Sequence, residues 1–130
     1  MAPTKEVVET DKVTLPLNPS PFCLAVKCNG MVYCSGSVGI DPKTNKLVDG
    51  DIKERTRATL NNLKNVLEAA GSSLNNIVKM NIYLTDMKNF APMNQAYLEY
   101  FPDYKPARTC VAVYQLPLNA DVEMECTAHQ

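Results

Sequence analysis

The chain predicts an α+β fold, six strands and two helices in the order βββαβαββ, and three observations carry that prediction. Asn29 and Gly30 separate two strand-like runs, and Asn-Gly accepts the left-handed dihedrals of a two-residue hairpin turn. From Ile52 to Ala70 the apolar residues recur mostly at helical spacing. Near the C-terminus, residues 108–115 (RTCVAVYQ) and 121–127 (DVEMECT) have strand composition. The break at Leu116, Pro117, Leu118 and Asn119 is short enough for them to pair as an antiparallel hairpin.

In chain order, a short strand is expected at residues 6–9, followed by a loop through Pro16, Pro19 and Pro21, where proline bars regular helix. Residues 22–28 (FCLAVKC) and 31–36 (MVYCSG) form the Asn-Gly hairpin. Residues 40–46 carry turn formers without apolar periodicity and are expected at the surface. The first helix has Asp49 or Asp51 to cap its start and Gly71 to end it. Its polar face reads as solvated surface. Residues 77–84 (IVKMNIYL) alternate as a strand bounded by Asn75, Asn76 and Asp86. Phe90, Met93, Asn94, Tyr97 and Phe101 then fall three or four apart in a second helix. Pro92 is tolerated in its first turn, and Pro102 ends it. Two amphipathic helices can cover only one face of a six-stranded sheet, so association of subunits is expected to bury the other.

The chain's 130 residues fit one domain, 1–130. A net charge of −1 gives no electrostatic footprint for nucleic acid, so RNA is not an expected partner. The five cysteines are an odd number without CxxC spacing and read as reduced thiols rather than zinc ligands. A single histidine, His129, leaves nothing from which to build a His-based metal site or a Ser/His/Asp triad. Neither a metal nor another cofactor is expected. No window approaches the roughly 20 apolar residues that cross a bilayer, and the opening MAPTKEVVETDK resembles no targeting signal. The expected location is the cytoplasm, or the mitochondrial matrix if a transit peptide has been removed.

The chemistry-bearing residues lie in the last two strands. Alternation puts Arg108, Cys110 and Ala112 on one face, and Asp121, Glu123 and Glu125 on one face of the partner. If the two strands pair, an arginine and a carboxylate meet across the ladder. Arginine holds a carboxylate through two parallel hydrogen bonds, and a nearby glutamate can orient or deprotonate a water, which suggests hydrolysis of a small acidic substrate. A plain cross-strand ion pair in a solvated sheet is the competing reading.

Ser35 and Gly36 followed by Asp41 and Pro42, the helix ending in LEAAGSSL, the runs IVKMNIYLTDMKNF and NQAYLEYF, then PARTCVAV, Leu116 with Pro117, and VEMECTA occur in an order and spacing that identify a family. Over nearly its whole length the chain resembles the Rid family, the reactive-intermediate deaminases also called YjgF. The resemblance implies a chorismate-mutase-like subunit, a homotrimer with clefts between subunits, and hydrolysis of the enamine or imine of a 2-oxo acid, such as 2-aminoacrylate, 2-iminopropionate or 2-iminobutyrate, with release of ammonia. It implies that Arg108 clamps the substrate carboxylate and that Glu123 positions the water, with Glu125 as its rival. Cys110 matches a family cysteine; lacking an activating base, it is expected to bind substrate or pack rather than attack. Ser35 and Gly36 match a cleft-lining motif, and Asn94 matches an asparagine at the start of the second helix.

The departures concern polar groups. Where the family commonly reads Gly, Pro, Tyr, Ser, Gln, this chain has Ser20, Pro21, Phe22, Cys23 and Leu24, and Ser, Gly, Gln becomes Ser35, Gly36 and Ser37. Phe22 keeps an aromatic wall at the expected substrate cleft and loses a hydroxyl. Altered turnover or substrate preference is expected. Ribonuclease or translation-inhibitor activity, and a trimer that binds 2-oxo acids without turnover, are the alternatives.

Overall fold

A computed structural model describes residues 4–130; the first three residues of the expected domain lie outside it. The elements are β1 (Glu6–Val8), β2 (Ala25–Cys28), β3 (Met31–Ser37), β4 (Ile40–Asp41), β5 (Lys46–Leu47), α1 (Ile52–Ala69), β6 (Ile77–Leu84), α2 (Phe90–Tyr100), β7 (Ala107–Ala112) and β8 (Val122–His129). Six strands form one mixed sheet in the order β1-β2-β3-β8-β6-β7, and β4 and β5 form a separate ribbon. The expected α+β class, both helices and the Asn29-Gly30 hairpin are present, with Asn29 at φ 53° and Gly30 at φ 78°. The strand expected from Phe22 begins only at Ala25, after the proline-rich loop, and the expected surface turn at 40–46 closes the β4-β5 ribbon with Ile40 buried.

The C-terminal hairpin does not form. β7 pairs with β6 in parallel, while β8 runs antiparallel between β6 and β3. A strand, a helix and a strand in succession return in parallel when the helix crosses the sheet, and β6-α2-β7 is such a unit. It takes one edge of β6 and leaves the other for β8. Four residues of β8 that alternate along the strand, Val122, Met124, Cys126 and Ala128, are buried, as suits a central strand, whereas most of β7 is exposed, as suits an edge.

Both helices pack on the face that bears these residues. Leu60, Leu63 and Leu67 from α1 and Met93, Tyr97 and Phe101 at α2 join Met80, Ile82, Met124 and Val122 in one core. Asp51 caps α1 by accepting from the backbone N–H of Lys53 at 3.0 Å and of Glu54 at 3.1 Å. At the other end Gly71 adopts φ 78°, Gly71 N–H donates to Glu68 O, and Ser72 N–H donates to Leu67 O, the Schellman pattern that consumes the last carbonyls. Arg57 grips Glu99 at 3.0 and 2.9 Å and so ties α1 to α2. Neither helix covers the opposite sheet face, where Val7, Tyr33 and Val111 are exposed.

Candidate active site

The sequence-predicted residues fall into two groups. Along β6, Met80 is the register partner of Arg108, and Tyr83 that of Glu123. Positions an odd number apart on a strand point to opposite faces. Arg108 therefore lies on the helix-covered face and Glu123 on the open one, so within one copy they do not meet across a ladder. The expected Arg-Glu encounter depended on the hairpin, and it fails with the hairpin.

The first group surrounds Glu123. The ladder between β3 and β8 is irregular between Cys34 and Ser37, which places Gly36 against the carboxylate. A Cβ on Gly36 would overlap Glu123 Oε1 and lie 3.0 Å from its Cδ. Glycine is thus what lets the carboxylate rest on the backbone of β3. Burial, reinforced by repulsion from Glu125, pushes the Glu123 carboxyl above its ordinary range. Glu123 accepts no hydrogen bond from the described residues. Glu125 differs: its Oε1 takes a very short hydrogen bond from the Tyr83 hydroxyl and a long one, 3.5 Å, from Asn81 Nδ2. Of the two candidate carboxylates, Glu123 keeps both oxygens free of hydrogen bonds from the described residues, whereas Glu125 has one oxygen taken by Tyr83 and Asn81.

Glu123 faces a cavity of about 190 Å³ walled by Leu15, Leu17, Phe22, Leu24, Val38 and Leu118, among others. Ser37 lines it as well; Ser35 does not. The Ser35 hydroxyl donates to Cys23 O at 2.7 Å, and its N–H donates to Leu24 O at 3.0 Å. Ser35 therefore pins the Phe22 segment to β3, a supporting task where a cleft-facing hydroxyl was expected. The walls from the 13–17 loop and from Leu118 went unread in the sequence, since loop residues come to a site only through the tertiary fold.

The second group surrounds Arg108. Its guanidinium carbon stands 4.9 Å from the ring centre of Tyr97 and 5.7 Å from that of Phe90. It makes no ion pair among the described residues. Asn94, Leu98 and Lys105 line the same open cleft of about 280 Å³. Asn94 Oδ1 and the Tyr97 hydroxyl are buried without hydrogen-bond partners among the described residues. Burial pushes the Tyr97 phenol up to about 12, so it stays protonated and able to donate. Lys105 is spent on the carbonyls of Phe101 and Pro102 at 3.3 and 3.2 Å, leaving Arg108 as the cation open to a ligand. Cys110 shares the Arg108 face, and burial raises its thiol, which keeps it neutral and a poor nucleophile. Tyr97 was missed as a site residue, although it falls one turn after Asn94 on the same helix face.

Among the described residues no cluster of histidine, cysteine or carboxylate side chains is suited to hold a metal ion. No helix there is long and apolar enough to cross a membrane.

Residues 15–130 match the family model described as Endoribonuclease L-PSP. A RutC family protein of Pyrococcus horikoshii is 44% identical over 126 residues, covering 97% of this chain and 98% of that protein. Reactive Intermediate Deaminase A of Arabidopsis thaliana, a chloroplastic protein, is 40% identical over 124 residues, covering 95% of this chain and 65% of its own. The crystal structure of yeast Mmf1 superposes with a TM-score of 0.93 at 43% identity, covering 98% and 99% of the two chains.

Proposed function

This chain belongs to the L-PSP endoribonuclease family, also known as YjgF or Rid, and on that premise we propose that it hydrolyses 2-imino and 2-enamino acids to 2-oxo acids and ammonia. The observation that carries the reading is the pair of unspent charges. Arg108 is an unpaired cation held on two aromatic rings, and Glu123 is an unpartnered carboxylate held on a glycine, each beside an open cavity. A homotrimer completes the site: the Arg108 cleft of one copy meets the Glu123 cavity of the next.

In such a site Arg108 takes the substrate carboxylate in a fork of two charged hydrogen bonds, each worth about 1.5–3 kcal/mol. The Asn94 and Tyr97 side chains supply further polar contacts on that wall. Glu123 removes a proton from water as its oxygen bonds to the imine carbon. It returns the proton to nitrogen to give the carbinolamine, then takes the hydroxyl proton and passes it to the amino nitrogen, so that the carbon–oxygen double bond forms as the carbon–nitrogen bond breaks and ammonia leaves. A carboxyl raised above its ordinary range suits both halves of that exchange. An enamine such as 2-aminoacrylate reaches the same path once its methylene carbon is protonated.

The family's ribonuclease name fits this site less well. Two glutamates side by side on the open face repel phosphate, and no pair of histidines serves as acid and base. For its compartment we propose the cytoplasm or the mitochondrial matrix; the chloroplastic Arabidopsis relative supports an organellar setting for this domain.

The test is imine hydrolysis by the purified protein. 2-Aminoacrylate and 2-iminobutyrate are generated by a dehydratase, and wild type is compared with Arg108→Ala and Glu123→Gln. Acceleration is expected from wild type, with a loss of about 10²- to 10⁴-fold in Glu123→Gln and no saturable binding in Arg108→Ala. A folded wild-type protein without acceleration refutes the reading.

A further inference from the structure

We propose that the cavity beside Glu123 makes this protein selective for imines with branched aliphatic side chains, such as 2-imino-4-methylpentanoate, over the small imines derived from alanine and serine. The inference rests on the deaminase reading and names the substrate class of that site. An imine carbon within reach of a water on Glu123, with its carboxylate turned toward Arg108 of a neighbouring copy, directs its third substituent along the wall that Glu123 shares with Phe22, Leu24 and Val38.

The chemistry of that wall decides what the substituent can be. No lysine, arginine or histidine lines the cavity. Among its polar side chains, Asn62 spends its amide hydrogens on Val38 O and Ile40 O at 3.2 and 2.9 Å, and Thr14 gives its hydroxyl to Pro42 O at 3.2 Å. Among the side chains of the described residues the small Ser37 hydroxyl is the donor left, with Asn62 Oδ1, Thr14 Oγ1 and the Glu123 carboxylate as acceptors, so a carbonyl or carboxylate on the substituent is poorly satisfied there, and burying one unsatisfied is costly. An acidic side chain meets only the negative Glu123. A cavity of about 190 Å³ is also far larger than a methyl group needs, since one water takes roughly 30 Å³ in the liquid. A small substituent forfeits the contacts that a branched alkyl chain makes with the leucines.

The selectivity belongs to this chain in particular. Phe22, Leu24 and Ser37 all line the cavity, and they are the positions where the sequence departs from the family's tyrosine and two glutamines. Phe22 and Leu24 each remove a polar group from the wall, and Ser37 puts a small hydroxyl in place of an amide and frees volume.

Amino-acid oxidase acting on leucine or alanine, followed by capture of remaining imine with semicarbazide, compares the two substrates in one assay. The leucine-derived imine is expected to be favoured in kcat/KM by about tenfold or more, the discrimination an apolar pocket gains from added methylenes. In Leu24→Gln and Ser37→Gln, with retention of native assembly mass checked first, that ratio is expected to fall by about tenfold. Calorimetric titration of the wild type with 4-methyl-2-oxopentanoate and pyruvate tests the pocket without any variant, the larger acid being expected to bind more tightly by a similar factor. Hydrolysis of both imines at like rates, or equal affinity for the two oxo acids, overturns the selectivity and leaves the deaminase reading standing. No ammonia from either imine overturns both.

Discussion

Gly36 has no side chain because the Glu123 carboxylate occupies the space one would fill. The clash an alanine would create is with the far end of a flexible side chain, so the fold can absorb it by swinging the carboxylate away. Gly36→Ala is therefore expected to keep its secondary structure and thermal midpoint while imine hydrolysis falls by about 10²-fold or more. Circular dichroism and initial rates on one preparation check it. Glu123 itself carries a pH signature. Its folded-state pKa lies above the ordinary value of 4.5, first through burial and then through Glu125. The folded state thus binds the proton more tightly than the unfolded state does, and ionisation above the raised pKa weakens the fold. Below about pH 4 both states hold the proton and the penalty vanishes. Glu123→Gln is accordingly expected to melt above wild type at pH 7 and level with it near pH 3.5. A scanning calorimetry series across that range reads the difference. Wild-type hydrolysis is expected to fade as pH drops through the same raised pKa, because the protonated carboxyl cannot take a proton from water.

At the scale of elements, α1 fixes the strand end that bears Glu123. Arg55 on α1 holds Asp121, next to the start of β8, in a fork at 2.8 and 2.7 Å. It also donates to Gly50 O at 2.5 Å. The chain between β3 and β4 passes close under this helix. A Cβ on Gly39 would lie 2.8 Å from Arg55 O and 3.2 Å from Arg55 Cα. Unlike the carboxylate near Gly36, these are backbone atoms inside a helix and cannot swing aside. Gly39→Ala is expected to cost about 1–3 kcal/mol of stability, measurable as a lower urea midpoint, whereas Gly36→Ala loses rate at little cost in stability. Elements whose signals are local were readable in the sequence: α1 by its period and caps, β6 by alternation, α2 by apolar residues three and four apart. Strand neighbours are set by the tertiary fold, and two strand-like runs close in sequence imitated a hairpin. The overlooked clue was a helix between two strands, which brings β7 back beside β6 in parallel. That error reached the site. Arg108, Glu123, Gly36 and Phe22 were legible as residue types in motifs, but the faces they occupy follow from strand order. The resemblance already preferred Glu123 to Glu125, but a physical difference between them emerges only with Tyr83 and Asn81 bonded to the latter.

At the scale of the whole molecule, the described residues leave one sheet face without a cover, with Val7, Tyr33 and Val111 exposed upon it, and the proposed chemistry is divided between that face and the opposite one. Apolar residues on an unpaired sheet face are the usual mark of association. A trimer answers both conditions if the cation and the carboxylate at each site come from different copies. Such an arrangement has a consequence that a site contained in one chain lacks. Arg108→Ala and Glu123→Gln subunits are each inactive alone, but a mixed trimer holds some interfaces where an intact Arg108 from one subunit meets an intact Glu123 from the other. Co-refolding the two variants in equal amounts is therefore expected to restore a sizeable fraction of wild-type hydrolysis, and remixing the folded variants without subunit exchange is expected to restore none. Mass measurement of the mixture, with one variant carrying a tag, counts the hybrids. Hybrids without activity would place the acting residues within a single chain and refute the shared site.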